Sequence, residues 1–407
     1  MRISTAHRYE SAIESLQQRQ IEMANSQQQL TSGKKVNQAS DDPIAAARAE
    51  RALAGMSRSD ANQRSLEASR NVMQLSESSI GDSVDLLQQA RESLVAAGNG
   101  SYTDKERQTV AILLKEIRNQ LLTVANRPDG GGGFVFGGQG SASPPFIDAI
   151  GGVQFVGQGG EIQASAGEAL NLTVDGQQVW LKGKTGNGVY TTAPASTNTG
   201  AAWITAGSVS NPSALPYPAA ASATPPQYTV EFAVNAGVTT YSILKDGGGT
   251  AVSNVNYQSG KGIEIDGMSF SVAGQPADLD TFTLNQSSNS LSVFDALDSA
   301  INSLSQINQN SGQISQAVNK GLSNLDSILG NVQAARSAVG ESLNRMDGIE
   351  SRISSSKLAA QTERSNAEDL DMTEGISNFQ NQQAGYEAAL KSYAMVQKLS
   401  LFQYING

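Results

Sequence analysis

Cysteine is missing from the 407 residues, and histidine occurs once, at His7. The first absence excludes a disulfide framework and any thiolate metal centre. The second leaves a Ser–His–Asp triad or a His-ligated metal site a single residue to be built on. Aromatic residues are scarce at 5%, and Lys and Arg number 28 against 38 Asp and Glu, a formal charge of -10. Such an acidic balance argues against holding a phosphate backbone, so no nucleic-acid partner is expected. An apolar run of about 18 residues, the minimum for a membrane span, is also lacking. The opening Met1 to Glu10 has no apolar core like that of a secretory signal. These absences point to a soluble protein that is not an enzyme, inserts in no membrane and carries no cofactor and no metal.

What the sequence does contain is long helical periodicity. Val318, Leu325, Val332, Val339, Met346, Ile353 and Ala360 recur every seven residues, the seam of a coiled coil. A second row holds Ile328, Ala335 and Ile349, diluted by Gly321, Ser342 and Ser356. At the α-helical rise the stripe is roughly 65 Å long, so it must lie against other long helices. The stretch from Pro43 to about Ala97 offers one, with Ala45, Ala52, Ser59, Leu66, Met73, Ile80, Leu87 and Leu94 in its own row. Small neighbours at Ser69, Ser76, Ser83 and Ala90 permit close approach. The bundle seam is therefore read as Leu66, Met73, Ile80, Leu87 and Leu94 against Leu325, Val332, Val339, Met346 and Ile353. Ser40, Asp41, Asp42 and Pro43 form a helix-start signal, with Pro in the first turn and carboxylates at the positive end of the dipole. Adjacent carboxylates point in different directions, so capping is preferred over a metal pair. Thr103 and Glu106 fit a capping box for a third helix through Val110, Leu114, Ile117, Leu121 and Val124.

Both ends of the sequence carry thinner stripes. Ile3, Tyr9, Ile13, Leu16, Met23 and Leu30 mark an N-terminal helix, and Ile376, Phe379, Tyr386, Leu390, Tyr393, Leu399 and Phe402 a C-terminal one. Lying outside the bundle they flank, these apolar faces are read as subunit-packing surfaces. At Gly130 the composition changes: from Phe134 to Asn285 there is no Arg, and Gly, Thr, Val and Ala dominate. Short β-like runs are expected at Phe134–Phe136, Leu170–Val174, Gln178–Leu181, Tyr228–Val234, Ile263–Ile265, Met268–Val272 and Phe282–Leu284. Asp-Gly turns are expected at Asp175 and Asp266. Pro194 to Gln227, rich in Ala, Ser, Thr and Pro, reads as an exposed or disordered loop. The expected fold is mainly α: a long-helix coiled-coil bundle formed by the N- and C-terminal halves, with an inserted β-rich module. The segments are 1–40, an N-terminal core helix; 41–133, bundle; 134–288, β-rich insert; 289–366, bundle; and 367–407, a C-terminal core helix.

Leu30-Thr-Ser-Gly-Lys-Lys-Val-Asn-Gln-Ala-Ser-Asp-Asp-Pro43 and Val339-Gly-Glu-Ser-Leu-Asn-Arg-Met-Asp347 resemble conserved segments of the bacterial flagellin superfamily. Met1-Arg-Ile-Ser-Thr5, Pro43 within Asp-Asp-Pro-Ile-Ala-Ala-Ala-Arg48, Phe134-Val-Phe-Gly-Gly138, Asp280-Thr-Phe-Thr-Leu284 and Ser400-Leu-Phe-Gln-Tyr-Ile405 are similar to its hook-associated, junction-forming branch. The likeness covers about 1–140 and 260–407 and leaves 140–260 unmatched. It implies a structural subunit that self-associates in a tubular assembly at the hook–filament junction of the flagellum. The partners it implies are hook-associated protein 1, flagellin, an export chaperone and the type III export apparatus. Two other readings stay open at this point: a minor filament flagellin, and a surface-binding protein acting through the insert.

Overall fold

A computed structural model describes residues 5–161, 163–165, 169–171, 173–218, 224–246 and 249–405, of which 5–9, 163–165, 169–170, 250 and 396–405 in backbone alone. The described helices are α1 (Thr5–Ser32), α2 (Pro43–Ala97), α3 (Asp104–Ala125), α4 (Gly176–Trp180), α5 (Val293–Ser305), α6 (Ser311–Glu368) and α7 (Met372–Ile405). The chain packs as two units, one of residues 1–64 with 348–407 and one of residues 65–347.

Local chemistry sets the helix boundaries. Asp42 Oδ1 accepts the backbone N–H groups of Ile44 and Ala45, each at 3.0 Å, and so caps α2. At the other end Gly98 N donates to Leu94 O at 3.2 Å, and Gly98-Asn99-Gly100 turns the chain. Thr103 and Glu106 form a reciprocal capping box at α3. Asn310 and Gln313 do the same for α6: Gln313 N donates to Asn310 Oδ1 at 2.8 Å, and Asn310 N to Gln313 Oε1 at 3.1 Å. No sequence signal of the Ser/Thr type marks that start, because an amide pair replaces it.

Within residues 65–347, Leu66, Met73, Ile80, Leu87 and Leu94 of α2 and Leu325, Val332, Val339 and Met346 of α6 are buried. Ser76 and Ser83 turn their hydroxyls back onto carbonyls four residues earlier, at 2.7 and 2.8 Å, so they satisfy themselves and stay thin. Gly321, which dilutes the seam in sequence, is a recess: a Cβ there would lie 2.5 Å from Leu94 Cδ2. Close packing is thus obtained from a residue that contributes no apolar area of its own. Arg118 of α3, itself buried, holds Asp148 at 2.7 Å and, through Nε, Asp298 of α5 at 2.6 Å. Asp148, mainly by hydrogen bonding, raises the Arg118 pKa against the opposing effect of burial.

The insert contains β1 (Phe146–Ala149), β2 (Gly152–Phe155), β3 (Gln163–Ser165), β4 (Ala169–Asn171), β5 (Tyr190–Pro194), β6 (Trp203–Ile204), β7 (Ser208–Val209), β8 (Tyr228–Asn235), β9 (Val238–Lys245), β10 (Gly249–Asn256), β11 (Gly262–Ile265), β12 (Met268–Ala273) and β13 (Thr281–Gln286). One antiparallel sheet runs β10-β9-β8-β13-β5, and a second β11-β12-β6 with β7 also on β12. Alternation places Tyr228, Val230 and Phe232 of β8 and Met268, Phe270 and Val272 of β12 in one core. Asp266 and Gly267, with φ of 45° and 77°, make the tight turn between β11 and β12.

Four expectations for the insert need correction. Gln178–Leu181 is no strand: Gly176–Trp180 is helical, and Asp175 caps it, accepting Gln177 N at 3.0 Å, instead of turning a hairpin. An Asp before a short apolar run serves either role, and the close approach of Gly176 to Phe136 decides it. Of Leu170–Val174, Leu170 and Asn171 are strand, whereas Thr173 and Val174 are not. Phe134–Phe136 makes a single bridge to Pro128 and places Phe136 edge-on against Trp180, with centroids 5.3 Å apart. Pro194–Gln227 is not a plain loop. It supplies β6 and β7, buries Ile204 and Tyr217 in the sheet core, and lodges Thr199 and Gly200 N–H groups on Asp280. Its low apolar content hid it, because two anchors and backbone pairing suffice where larger strands already form the core. Polar side chains of α6 hold this insert by its backbone: Gln316 accepts Ile204 N at 2.9 Å, and Asn331 Nδ2 donates to Gln178 O and Val179 O, both at 2.9 Å.

Candidate subunit-packing site

The unit of residues 1–64 with 348–407 brings the two ends of the chain together. Ser26 Oγ donates to Gln382 Oε1 at 2.6 Å. Leu30 lies beside Gly375 and Arg19 beside Gly385, so numbers fall along α1 as they rise along α7: the helices are antiparallel. The Arg19 guanidinium lies against Gly385, where an added Cβ would meet Nη1 at 2.8 Å. The apolar stripes alone do not foresee this pairing; each stripe is half of one interface.

Where α1 ends, the chain is clasped to the last residues of α6 and to Leu370, just before α7. Gly33 takes φ +69°, a left-handed conformation suited to glycine. Its carbonyl accepts Leu370 N at 3.0 Å, and Lys35 N donates to Glu368 O at 2.7 Å. Lys34 Nζ meets Glu368 at 2.8 Å, and Lys35 Nζ donates to Asn366 O at 2.6 Å. Val36 and Ala367 are buried beneath these contacts. The helix-start residues divide their work. Asp42 caps α2, as above, whereas Asp41 Oδ2 accepts Asn37 N at 3.0 Å and Gln38 N at 2.9 Å, closing the preceding loop. Ser40 is exposed, and Pro43 opens the helix.

The pairing covers the apolar stripes unevenly. Leu16, Met23 and Leu30 of α1 and Phe379, Tyr386 and Tyr393 of α7 are half-buried. Ile13, Ile376 and Leu390 stay 43%, 47% and 42% exposed, so they remain free to pack elsewhere. Ile3 lies outside the described residues, as do the side chains of Tyr9, Leu399 and Phe402. Ile353, the seam residue in this unit, is buried. Among the exposed residues that escaped the sequence reading are Ile21 and Met395, at 59% and 61%. They fall off the seven-residue rows, and apolar residues at off-seam positions are the signal that would find them. Fully burying each of these five side chains is worth about 1.5–3 kcal/mol. Among the described residues no group of three or more His, Cys, Asp or Glu is placed to hold a metal. No described helix is long and apolar enough to cross a membrane.

Known proteins share this layout. A sequence profile of the bacterial flagellin N-terminal helical region matches residues 3–141, and one of the bacterial flagellin C-terminal helical region matches residues 322–405; together they cover more than half the chain. Flagellar hook-associated protein 3 of Salmonella typhimurium strain LT2 is 32% identical over 198 residues, 47% of this chain. The chain thereby spans 57% of the length of that relative. The crystal structure of flagellar hook associated protein-3 from Legionella pneumophila is similar with a TM-score of 0.71 at 25% identity, over 77% of this chain and 97% of that one. The flagellar junction protein FlgL from the same organism gives a TM-score of 0.64 at 26% identity, over 71% of this chain and 95% of that one.

Proposed function

Because the chain belongs to the bacterial flagellin family, we propose that it is a structural, non-catalytic subunit of the flagellum that polymerises at the hook–filament junction. The observation that carries this reading is the α1–α7 pair, clasped at one end yet leaving Ile13, Ile21, Ile376, Leu390 and Met395 in water. A folded monomer gains nothing from such a stripe; a tube of copies gains its burial at every subunit. The names of the relatives, hook-associated protein 3 and flagellar junction protein, agree with it. In this reading the chain joins hook-associated protein 1 on one side to flagellin on the other. It reaches its place through the type III export apparatus, kept from premature assembly by an export chaperone. The lack of cysteine suits such a route, since it removes one means of cross-linking before export.

Immunogold labelling of purified flagella tests the proposal. Label is expected at the hook–filament boundary. Label along the whole filament would make the chain a filament flagellin, and an unlabelled flagellum would refute the assignment.

A further inference from the structure

Seven arginines have a carboxylate close by. Arg70, Arg91, Arg107, Arg118, Arg127, Arg336 and Arg364 each lie within 3.4 Å of one. Arg48, Arg51 and Arg58 on α2 are different: all three are exposed, and the sole bond among them is from Arg51 Nε to Ala47 O at 3.3 Å. At the α-helical turn they fall within an arc of about 80°. Ile44, 68% exposed, shares that arc. Beside them runs an open groove of about 670 Å³, lined by Arg48, Arg51, Ala52, Ala359, Ala360 and Glu363.

The negative charge of the chain lies elsewhere. Residues 65–347 hold 24 acidic side chains against 14 basic, whereas residues 1–64 with 348–407 hold 14 of each. The whole excess of -10 therefore belongs to the second unit. Within it Asp85 and Glu92, two turns apart on α2, are exposed and without a basic partner among the described residues.

We propose that the face of Ile44, Arg48, Arg51 and Arg58 on one copy docks on the Asp85–Glu92 face of a second copy. The proposal rests on the reading that the chain polymerises, and it names a contact that such a polymer would use. The two surfaces differ, so the contact is heterologous and propagates into a ring or a helical array instead of closing as a dimer. Three arginines around an apolar residue fit a protein surface with spaced carboxylates. A nucleic acid fits poorly, because Glu363 lines the same groove and the chain as a whole is acidic.

Charge reversal on the full-length chain tests it. Arg48→Glu with Arg51→Glu, and separately Asp85→Lys with Glu92→Lys, are expected to lower the number of junction-labelled flagella about tenfold. Secretion into the medium and the thermal melt of the purified monomer should be unchanged. The chain carrying all four substitutions should regain most of the label, because the pairing is restored with its signs exchanged. Reversed doubles that assemble like the parent, or a quadruple variant no better than the doubles, would overturn the contact. Should the parent itself be absent from flagella, the junction reading fails, and a second measurement decides the contact alone. In sedimentation equilibrium at low salt, a mixture of the two purified doubles should associate more than either double by itself; equal sedimentation would overturn it.

Discussion

Three glycines on α6 show how one residue type carries different meanings. At Gly312 a Cβ would lie 2.3 Å from the backbone of Ala201, while at Gly330 and Gly340 it would meet nothing within 4 Å. Gly312→Ala is therefore expected to destabilise the monomer by about 1–3 kcal/mol, since backbone must move to make room. Gly330→Ala or Gly340→Ala should instead stabilise it by about 0.5–1 kcal/mol through helix propensity alone. Urea titrations of the three variants decide the matter, and a stabilising Gly312→Ala would show that Ala201 yields easily. In sequence the three were indistinguishable. Asp41 and Asp42 were better marked: the motif announced a helix start, but which carboxylate capped it depended on the path of residues 37–41.

At the scale of elements, the segment 194–227 and the Arg118 cluster make opposite demands on sequence reading. Replacing residues 194–227 by a short Gly-Ser linker removes Ile204 and Tyr217 from the core and takes from Asp280 the Thr199 and Gly200 N–H donors, leaving it that of Ala277. The expected outcome is loss of protection across β8 and β12 in hydrogen exchange, while the seam of α2 and α6 stays protected. Unchanged exchange in β8 and β12 would show the segment to be dispensable. Arg118 joins α3 to the β1–β2 hairpin and to α5, and its hydrogen bonds hold the Asp148 carboxyl below the usual carboxylate range against the opposing effect of burial. A depressed folded pKa gives stabilisation that is complete above the unfolded value and is lost as pH falls through the folded one. The melting temperature should accordingly be flat from neutrality to about pH 5 and fall below about pH 4. Asp148→Asn should lower the neutral plateau slightly and flatten part of that acid limb. An acid limb identical to that of the parent would remove Asp148 from the account. Neither Asp148 nor Asp298 stood out in the sequence, since each is one carboxylate among 38 acidic residues.

For the whole molecule, folding and assembly should be separable. Leu390 is 42% exposed, so Leu390→Asp is expected to cost the free monomer little. In a polymer that covers this face, an unpaired carboxylate would cost several kcal/mol at every subunit. Cells should then secrete the variant yet remain non-motile, with hooks lacking filaments and flagellin in the medium. Leu390→Met should be nearly silent, and Lys391→Asp, at a position already exposed, much milder. Normal swimming by Leu390→Asp cells would take this face out of the assembly.

Periodicity by itself settled the long helices, because a seven-residue apolar row has few other uses and each turn repeats the same signal. It settled the caps at Asp42 and Thr103, whose partners lie within three residues, and the alternating strands β8, β12 and β13. The tertiary structure alone decided what depends on partners far along the chain. It joined α1 to α7 through Ser26, Gln382 and the Gly33–Leu370 clasp, made Gly321 a recess for Leu94, and drew Ile204 and Tyr217 into the sheet core. The physical reason is the range of the information. A repeat or a cap is written within one or two turns, whereas close approach and burial belong to pairs of segments that meet only when the chain is folded.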